Sequence, residues 1–174
     1  MNETLNTLKT RRSIRKYKSG QIRKEELDAV LEAAKYAPTS NGRQGNLFVV
    51  AQDEALRKQL AKMNAAVLGK DMDPYYGAPT VILVFADKTK ATPVEDGSLA
   101  LGNMFNAAAA LGLGSCWIHR AREMFESAEG RDLLHRWGIG DQYIGVGACS
   151  LGYPDGDIPA PAPRKEGLVI VARA

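Results

Sequence analysis

Arg11-Arg12-Ser13-Ile14-Arg15-Lys16-Tyr17 places three guanidiniums and a hydroxyl within five positions of one short stretch. Guanidinium offers rigid, paired donors that meet a phosphate two bonds at a time, and it keeps its charge at any physiological pH. The stretch therefore has the chemistry of an anion site. Pro163-Arg164-Lys165, near the other end of the chain, could bring further positive charge to the same anion. The plain alternative is a solvated basic face.

Other chemical motifs are scarce. Gly112-Leu113-Gly114 runs into Ser115, Cys116 and Trp117 where a dinucleotide fingerprint needs a third glycine, and Gly145-Val146-Gly147 ends in Ser150 within a strand-like run. No phosphate-binding GxxxxGK[ST] loop and no GxSxG elbow occurs, so side-chain arginines must hold any bound phosphate. His119 and His135 lack metal-ligand spacing, and no metal site is expected. Glu25-Glu26 complements the dipole at a helix start. An anion cradle without acid, base or nucleophile points to a bound cofactor that carries the chemistry, with no catalytic side chain.

The elements that must position these groups follow from periodicity. A helix to about residue 10 leads into the arginines, and Leu27, Val30, Leu31 and Ala34 give the apolar stripe of a second over about 24–36. Pro38 stops it, and 39–45 reads as a loop. Residues 47–51 read as a strand, Asp53 as the cap of a helix to about Met63, and 80–86 as the clearest strand. Asp96-Gly97-Ser98 is expected to open a long helix over 99–111, so apolar and small-residue-rich that it must be covered all round. A short strand at 115–119, a helix at 123–137, a strand at 143–151, a Pro-rich loop at 154–163 and a terminal strand at 168–172 complete the reading. Strands and helices do not alternate strictly, which favours a layered α+β sheet over a doubly wound one.

With 174 residues and 45% apolar composition the chain is expected to form a single domain over 1–174. A net charge of +3 gives no general nucleic-acid surface. The N-terminus lacks a signal peptide's basic start and apolar core, and no run approaches the roughly twenty apolar residues of a membrane span. Cys116 and Cys149 suggest neither zinc nor a disulfide framework, so a cytoplasmic protein is expected.

Four separated segments together resemble the nitroreductase family of FMN-dependent oxidoreductases over essentially the whole chain. They are 11–17; Ala37-Pro38-Thr39-Ser40 through Gln44; Asp73-Pro74-Tyr75-Tyr76-Gly77-Ala78-Pro79; and Glu95-Asp96-Gly97-Ser98 with its helix and the run from Leu111 to Ile118. The resemblance implies a central mixed, mostly antiparallel sheet flanked by helices, in an intertwined homodimer with shared FMN sites. It assigns Arg11 and Ser13 to the FMN phosphate with Arg12 close by, and Arg15 to the N1/C2 carbonyl edge of the ring. A cation at that edge stabilises the negative charge of the reduced ring. Arg164 and Lys165 would return to the phosphate, and Pro38, Thr39, Ser40 and Gln44 would come from the partner subunit.

By the same resemblance Asn64 would meet the pyrimidine edge, and the main chain of Trp117, Ile118 and His119 would lie beside the ring. The His119 side chain need have no chemical role. The implied reaction takes electrons from NADH or NADPH to a small electrophilic acceptor, such as a nitroaromatic or quinone, by a substituted-enzyme cycle. The alternatives are a flavin-binding storage or sensing protein without turnover, and a reductive dehalogenase or enoate-type reductase of the same fold. Gly45-Asn46 departs from the family's usual Pro and aromatic residue after Gln44. Only 64–76 and 123–137 are available to cover the ring, which suggests an open pocket.

Overall fold

Every residue from Thr80 to Ala86 is buried, and a strand without a polar face needs cover on both sides. The computed structural model, which describes residues 2–173, provides it. Strand β2 (Thr80–Asp87) is central in a four-stranded sheet with β1 (Asn46–Ala51), β3 (Gly114–Ile118) and β4 (Tyr143–Gly152), in the order β1-β2-β4-β3 and antiparallel throughout. One face packs Ile82, Val84, Cys149 and Leu151 against helices α2 (Lys24–Lys35) and α4 (Pro93–Ala110). The other packs Val81, Leu83 and Phe85 against α3 (Glu54–Leu68), α5 (Ala121–Glu126) and α6 (Ala128–Arg136). Helix α1 (Glu3–Thr10) lies on the outside with no buried residue. The α+β sheet flanked by helices is as expected. No described helix is long and apolar enough to cross a membrane.

Four expectations about individual elements need correction. Helix α3 is capped by Asp53, whose carboxylate accepts from the Leu56 N–H at 2.8 Å, but it runs on to Leu68 and stops at Gly69, where φ is +70°. Ala65 and Ala66 favour continuation, and a glycine in the left-handed region ends a helix without strain. Helix α4 begins at Pro93 rather than after Ser98, because proline is suited to the first helical position. The helix expected over 123–137 is two: Ser127 leaves helical geometry and caps α6 by accepting from the Gly130 N–H at 3.0 Å. The terminal strand at 168–172 is not formed, since strand propensity is realised only by pairing and this segment has no paired neighbour.

Cys116 and Cys149 are free and buried in different clusters, on opposite faces of the sheet. Burial pushes the Cys149 thiol well above its ordinary pKa.

Helix α2 is tied to the end of β4 by a buried acid. Glu26 accepts from the Tyr153 hydroxyl at 2.6 Å, the Arg23 N–H at 2.9 Å and the Arg23 guanidinium at 2.8 Å. The Arg23 side-chain contact first, and then Tyr153, pull the carboxyl down from 4.5 to about 2. A carboxyl lowered on folding stabilises the fold above its unfolded pKa and loses that contribution as pH falls through the folded one. Glu26→Gln should therefore lower Tm at pH 7, and its gap from the parent should narrow as the pH falls from about 4.5 towards 2. Thermal unfolding across that range measures it; a gap independent of pH would remove the charge from the account.

Candidate functional site

The arginine segment has no regular structure of its own and borrows that of the sheet. Ser13 bridges Ser115 in parallel, the Ile14 N–H donates to the Ser115 carbonyl at 2.9 Å, and Ile14 is buried against β3. Gly114 makes the approach possible: a Cβ there would sit 2.8 Å from Ile14 Cγ2. Downstream, the Lys18 N–H donates to the Tyr153 carbonyl at 2.9 Å and the Asp155 N–H to the Lys16 carbonyl at 3.0 Å. The half-buried Tyr17 hydroxyl donates to the Ile14 carbonyl at 2.6 Å, and burial raises its pKa. Side chains alternate along an extended segment, so with Ile14 turned inward, Ser13 and Arg15 are exposed.

Arg11 and Arg15 are held by aromatic faces. The Arg11 guanidinium lies 5.7 Å from the Phe105 ring centre, and Phe105 meets Trp117 edge-on at 6.2 Å. The Arg15 guanidinium lies 5.9 Å from the ring centre of Tyr76. An aromatic face attracts a cation without supplying the carboxylate that would neutralise it. The two arginines are four positions apart, which in an extended chain sets their Cα atoms about 13 Å apart. A cavity of about 150 Å³ opens beside Arg11 between Thr10 and Ala109. The donor set suits an elongated ligand with an anionic end at Arg11 and an electron-rich edge at Arg15. Arg12 is turned back: its Nε donates to the Thr10 carbonyl at 3.0 Å and a terminal nitrogen to the Lys9 carbonyl, closing the end of α1.

Trp117, Ile118 and His119 stand at the end of β3. Trp117 lies over Gly147, where a Cβ would be 2.9 Å from its ring; Ile118 is buried and the His119 side chain is exposed. Asn64 lies behind this strand end, 1% exposed, and its amide is already engaged. It donates to the His119 carbonyl at 2.8 Å and accepts from Arg120 Nε at 2.9 Å. Here Asn64 holds the backbone of the strand end, aided by Arg120, whose φ of +77° turns the chain sharply into α5.

Pro38, Thr39, Ser40 and Gln44 are placed elsewhere. They precede β1 on the far edge of the sheet, and the register sets Asn46 level with Ala86 and Ile144, whereas Ser115 is level with Leu151 and Thr80. Strand spacing and rise put Ser13 and Asn46 about 28 Å apart across that diagonal. The loop is fixed by Asp96, a buried acid: the Ser40 N–H donates to its oxygens at 3.2 and 3.3 Å and the Thr92 hydroxyl at 2.9 Å. Asn46 adds a bond to the Asp96 carbonyl at 3.1 Å, giving the departure at this position a local purpose. Asn41 and Gln44 adopt φ of 51° and 49°. Arg164 and Lys165 are exposed on an arm without helix or strand.

Sequence reasoning singled out the segments containing Asp96 and Tyr76 but gave neither residue a task. Asp96 could have been found as an acid one turn into an otherwise apolar helix. Tyr76 carries only the signal of preceding Gly77 in a turn. A cavity of about 490 Å³ between α3 and 71–78 also has basic groups, but Arg57 is bonded to the Ala78 carbonyl at 3.0 Å and Lys58 to Glu54 at 2.6 Å.

Gly114→Ala tests the seating of the arginine segment. The added methyl must displace Ile14 or β3, and overpacking of this kind costs about 1–3 kcal/mol. The variant should unfold at lower temperature and bind a phosphate-bearing ligand more weakly than the parent, as titration calorimetry would show; unchanged stability and binding would mean that the segment is not fixed by this contact.

Residues 8–153 match the model of the nitroreductase family. A protein of Archaeoglobus fulgidus, named as a candidate NADH dehydrogenase/NAD(P)H nitroreductase, is 37% identical over 161 residues, covering 88% of this chain and 87% of its own. Among solved structures, a nitroreductase with bound FMN from Bacteroides fragilis superposes with a TM-score of 0.90 at 29% identity, covering 99% of this chain and 100% of its own. An FMN-dependent nitroreductase from Clostridium difficile gives 0.86 at 27% identity, with 99% of each chain covered.

Proposed function

The chain belongs to the nitroreductase family, and from that premise we propose that it binds FMN and uses NADH or NADPH to reduce a small electrophilic acceptor such as a nitroaromatic or quinone. The observation that carries the reading is the donor set. Two arginines four positions apart rest their guanidiniums on aromatic faces, with the Ser13 hydroxyl between them in the chain and a cavity beside Arg11. FMN, elongated and with its phosphate at one end, fits that set; the Bacteroides fragilis relative is a nitroreductase with bound FMN, and the Clostridium difficile relative is an FMN-dependent nitroreductase.

On this reading Arg11 and Ser13 hold the phosphate, Arg15 faces the N1–C2 edge, and the backbone from Trp117 to His119 lies beside the ring. When bound, FMN supplies a ring that takes up two electrons and passes them on. The protein fixes the ring and sets positive charge where negative charge develops. Donor and acceptor use the same exposed face in turn, which is a substituted-enzyme cycle.

A homodimer with shared sites is part of the proposal. The separation between the arginine segment and the loop from Pro38 to Gln44 supports completion of each site by a second copy. So does α4, whose flank at Leu99, Asn103 and Ala107 remains partly exposed beside a cavity of about 520 Å³. The arm also exposes Leu168, Val169, Ile170 and Val171 by 69–89%, a row of strand-forming side chains with nothing to cover them in one chain. Exchange of this arm would bring Arg164 and Lys165 to the partner.

Two measurements test the reading. Arg11→Ala should weaken FMN about tenfold to a hundredfold while leaving riboflavin nearly unaffected, because a bond to a charged group contributes about 1.5–3 kcal/mol. Equal loss for both ligands would take Arg11 away from the phosphate. Ile170→Asp should be neutral in an isolated chain, so a marked shift from dimer towards monomer in sedimentation would report an exchanged arm; unaltered sedimentation would argue against it.

A further inference from the structure

Tyr76 belongs to a segment that the proposed function leaves without a task; its ring packs partly on the core around Leu83 and Phe85, and its backbone angle is unusual. Its φ is +59°, followed by +68° at Gly77. A bulky aromatic residue in the left-handed region is an outlier, and glycine is what such a position favours. Strain of this kind persists where the surroundings over-determine it, and it concentrates at functional sites.

The surroundings are firm. Both Asp73 carboxylate oxygens are used, accepting from the Tyr75 N–H at 2.8 Å and the Gly77 N–H at 2.6 Å, and the Tyr76 N–H donates to the Asp73 carbonyl at 3.2 Å. Tyr75 is buried at 2% exposure and anchors the turn in the core. Beyond it, Arg57 donates to the Ala78 carbonyl at 3.0 Å and Gln21 to the Pro79 carbonyl at 2.5 Å. The turn delivers the half-buried Tyr76 ring to the Arg15 guanidinium, 5.9 Å from the ring centre. Arg15 is otherwise exposed, and a long exposed arginine samples many rotamers unless something holds it.

We propose that Tyr76 is a positioning residue for Arg15: its ring holds the guanidinium in place by cation–π attraction and leaves the N–H groups free to face the cofactor's N1–C2 edge. The inference rests on the FMN reading above and deepens it. A carboxylate in the same place would fix Arg15 equally well but would neutralise the charge the ring needs. A tyrosine ring restrains the side chain and leaves its charge uncompensated. The strained backbone is then the means by which a ring reaches that spot from a turn anchored in the core.

Tyr76→Gly removes the ring and suits the backbone but gives up the ring's packing on the core around Leu83 and Phe85, so the variant should still fold, with a Tm at or somewhat below the parent's that is measured alongside binding. It should bind FMN about fivefold or more weakly, and the midpoint potential of the bound flavin should move negative, because Arg15 no longer stays beside the reduced form. Tyr76→Phe keeps the ring and should stay within about twofold of the parent. In an Arg15→Ala background, Tyr76→Gly should cause no further loss. FMN affinity and potential unchanged in Tyr76→Gly, or an equal loss with Arg15 already removed, would overturn the role. If the parent binds FMN and Arg11→Ala discriminates against it while Tyr76→Gly is neutral, only this inference fails; if the parent binds no FMN, the underlying reading fails and carries this one with it.

Discussion

Ile14 presses on the bare backbone of Gly114 while its N–H reaches the Ser115 carbonyl, and through these contacts an irregular charged segment acquires the rigidity of the sheet. The rest of the site follows from that anchorage. With Ile14 inward, alternation turns Ser13 and Arg15 outward, and the next few residues are caught again by Tyr153 and Asp155. Charged side chains lose much conformational freedom when fixed. Here the backbone is fixed first, by main-chain bonds and one buried isoleucine, so the arginines need not organise themselves.

Helix α4 serves two distant places. Near its start the buried Asp96 holds the loop at Ser40, and further along Phe105 receives Arg11. At 1.5 Å per residue these points lie about 14 Å apart along the axis. The helix therefore fixes the spacing between a cationic segment and a strained loop that do not meet within one chain. Its partly exposed flank lies between them.

Much of this was legible in the sequence wherever local chemistry is decisive. The continuous apolar run from Thr80 to Ala86 marks the central strand, and the arginine cluster marks the segment that β3 holds against the sheet. The errors arose where local signals gave way to context. Ser127 splits one expected helix because its hydroxyl caps a new start, a choice that composition does not reveal. The 168–171 run has the residues of a strand, but pairing partners cannot be read from one segment. Asn64 enters the sequence reading only through the family resemblance, as a contact to the pyrimidine edge; its burial, and its bonds to His119 and Arg120, depend on three elements meeting and leave no mark in the sequence. Tyr76 was hidden for a different reason, since a backbone angle leaves little trace in residue type when the residue is not glycine.

The two cysteines, set on opposite faces of the sheet, have a bearing on chemical durability. They cannot pair with one another without unmaking the core between them. Burial keeps Cys149 in its protonated form, in which sulfur is a poor nucleophile towards peroxide and alkylating agents. Of the described methionines only Met72 is substantially exposed. Sulfur oxidation follows exposure and thiolate character, so this chain presents few atoms at which the ladder from thiol to sulfonic acid can begin. For a protein proposed to pass electrons to electrophiles, the consequence is resistance to its own surroundings: by-products of an imperfect transfer meet described residues that expose almost no oxidisable sulfur.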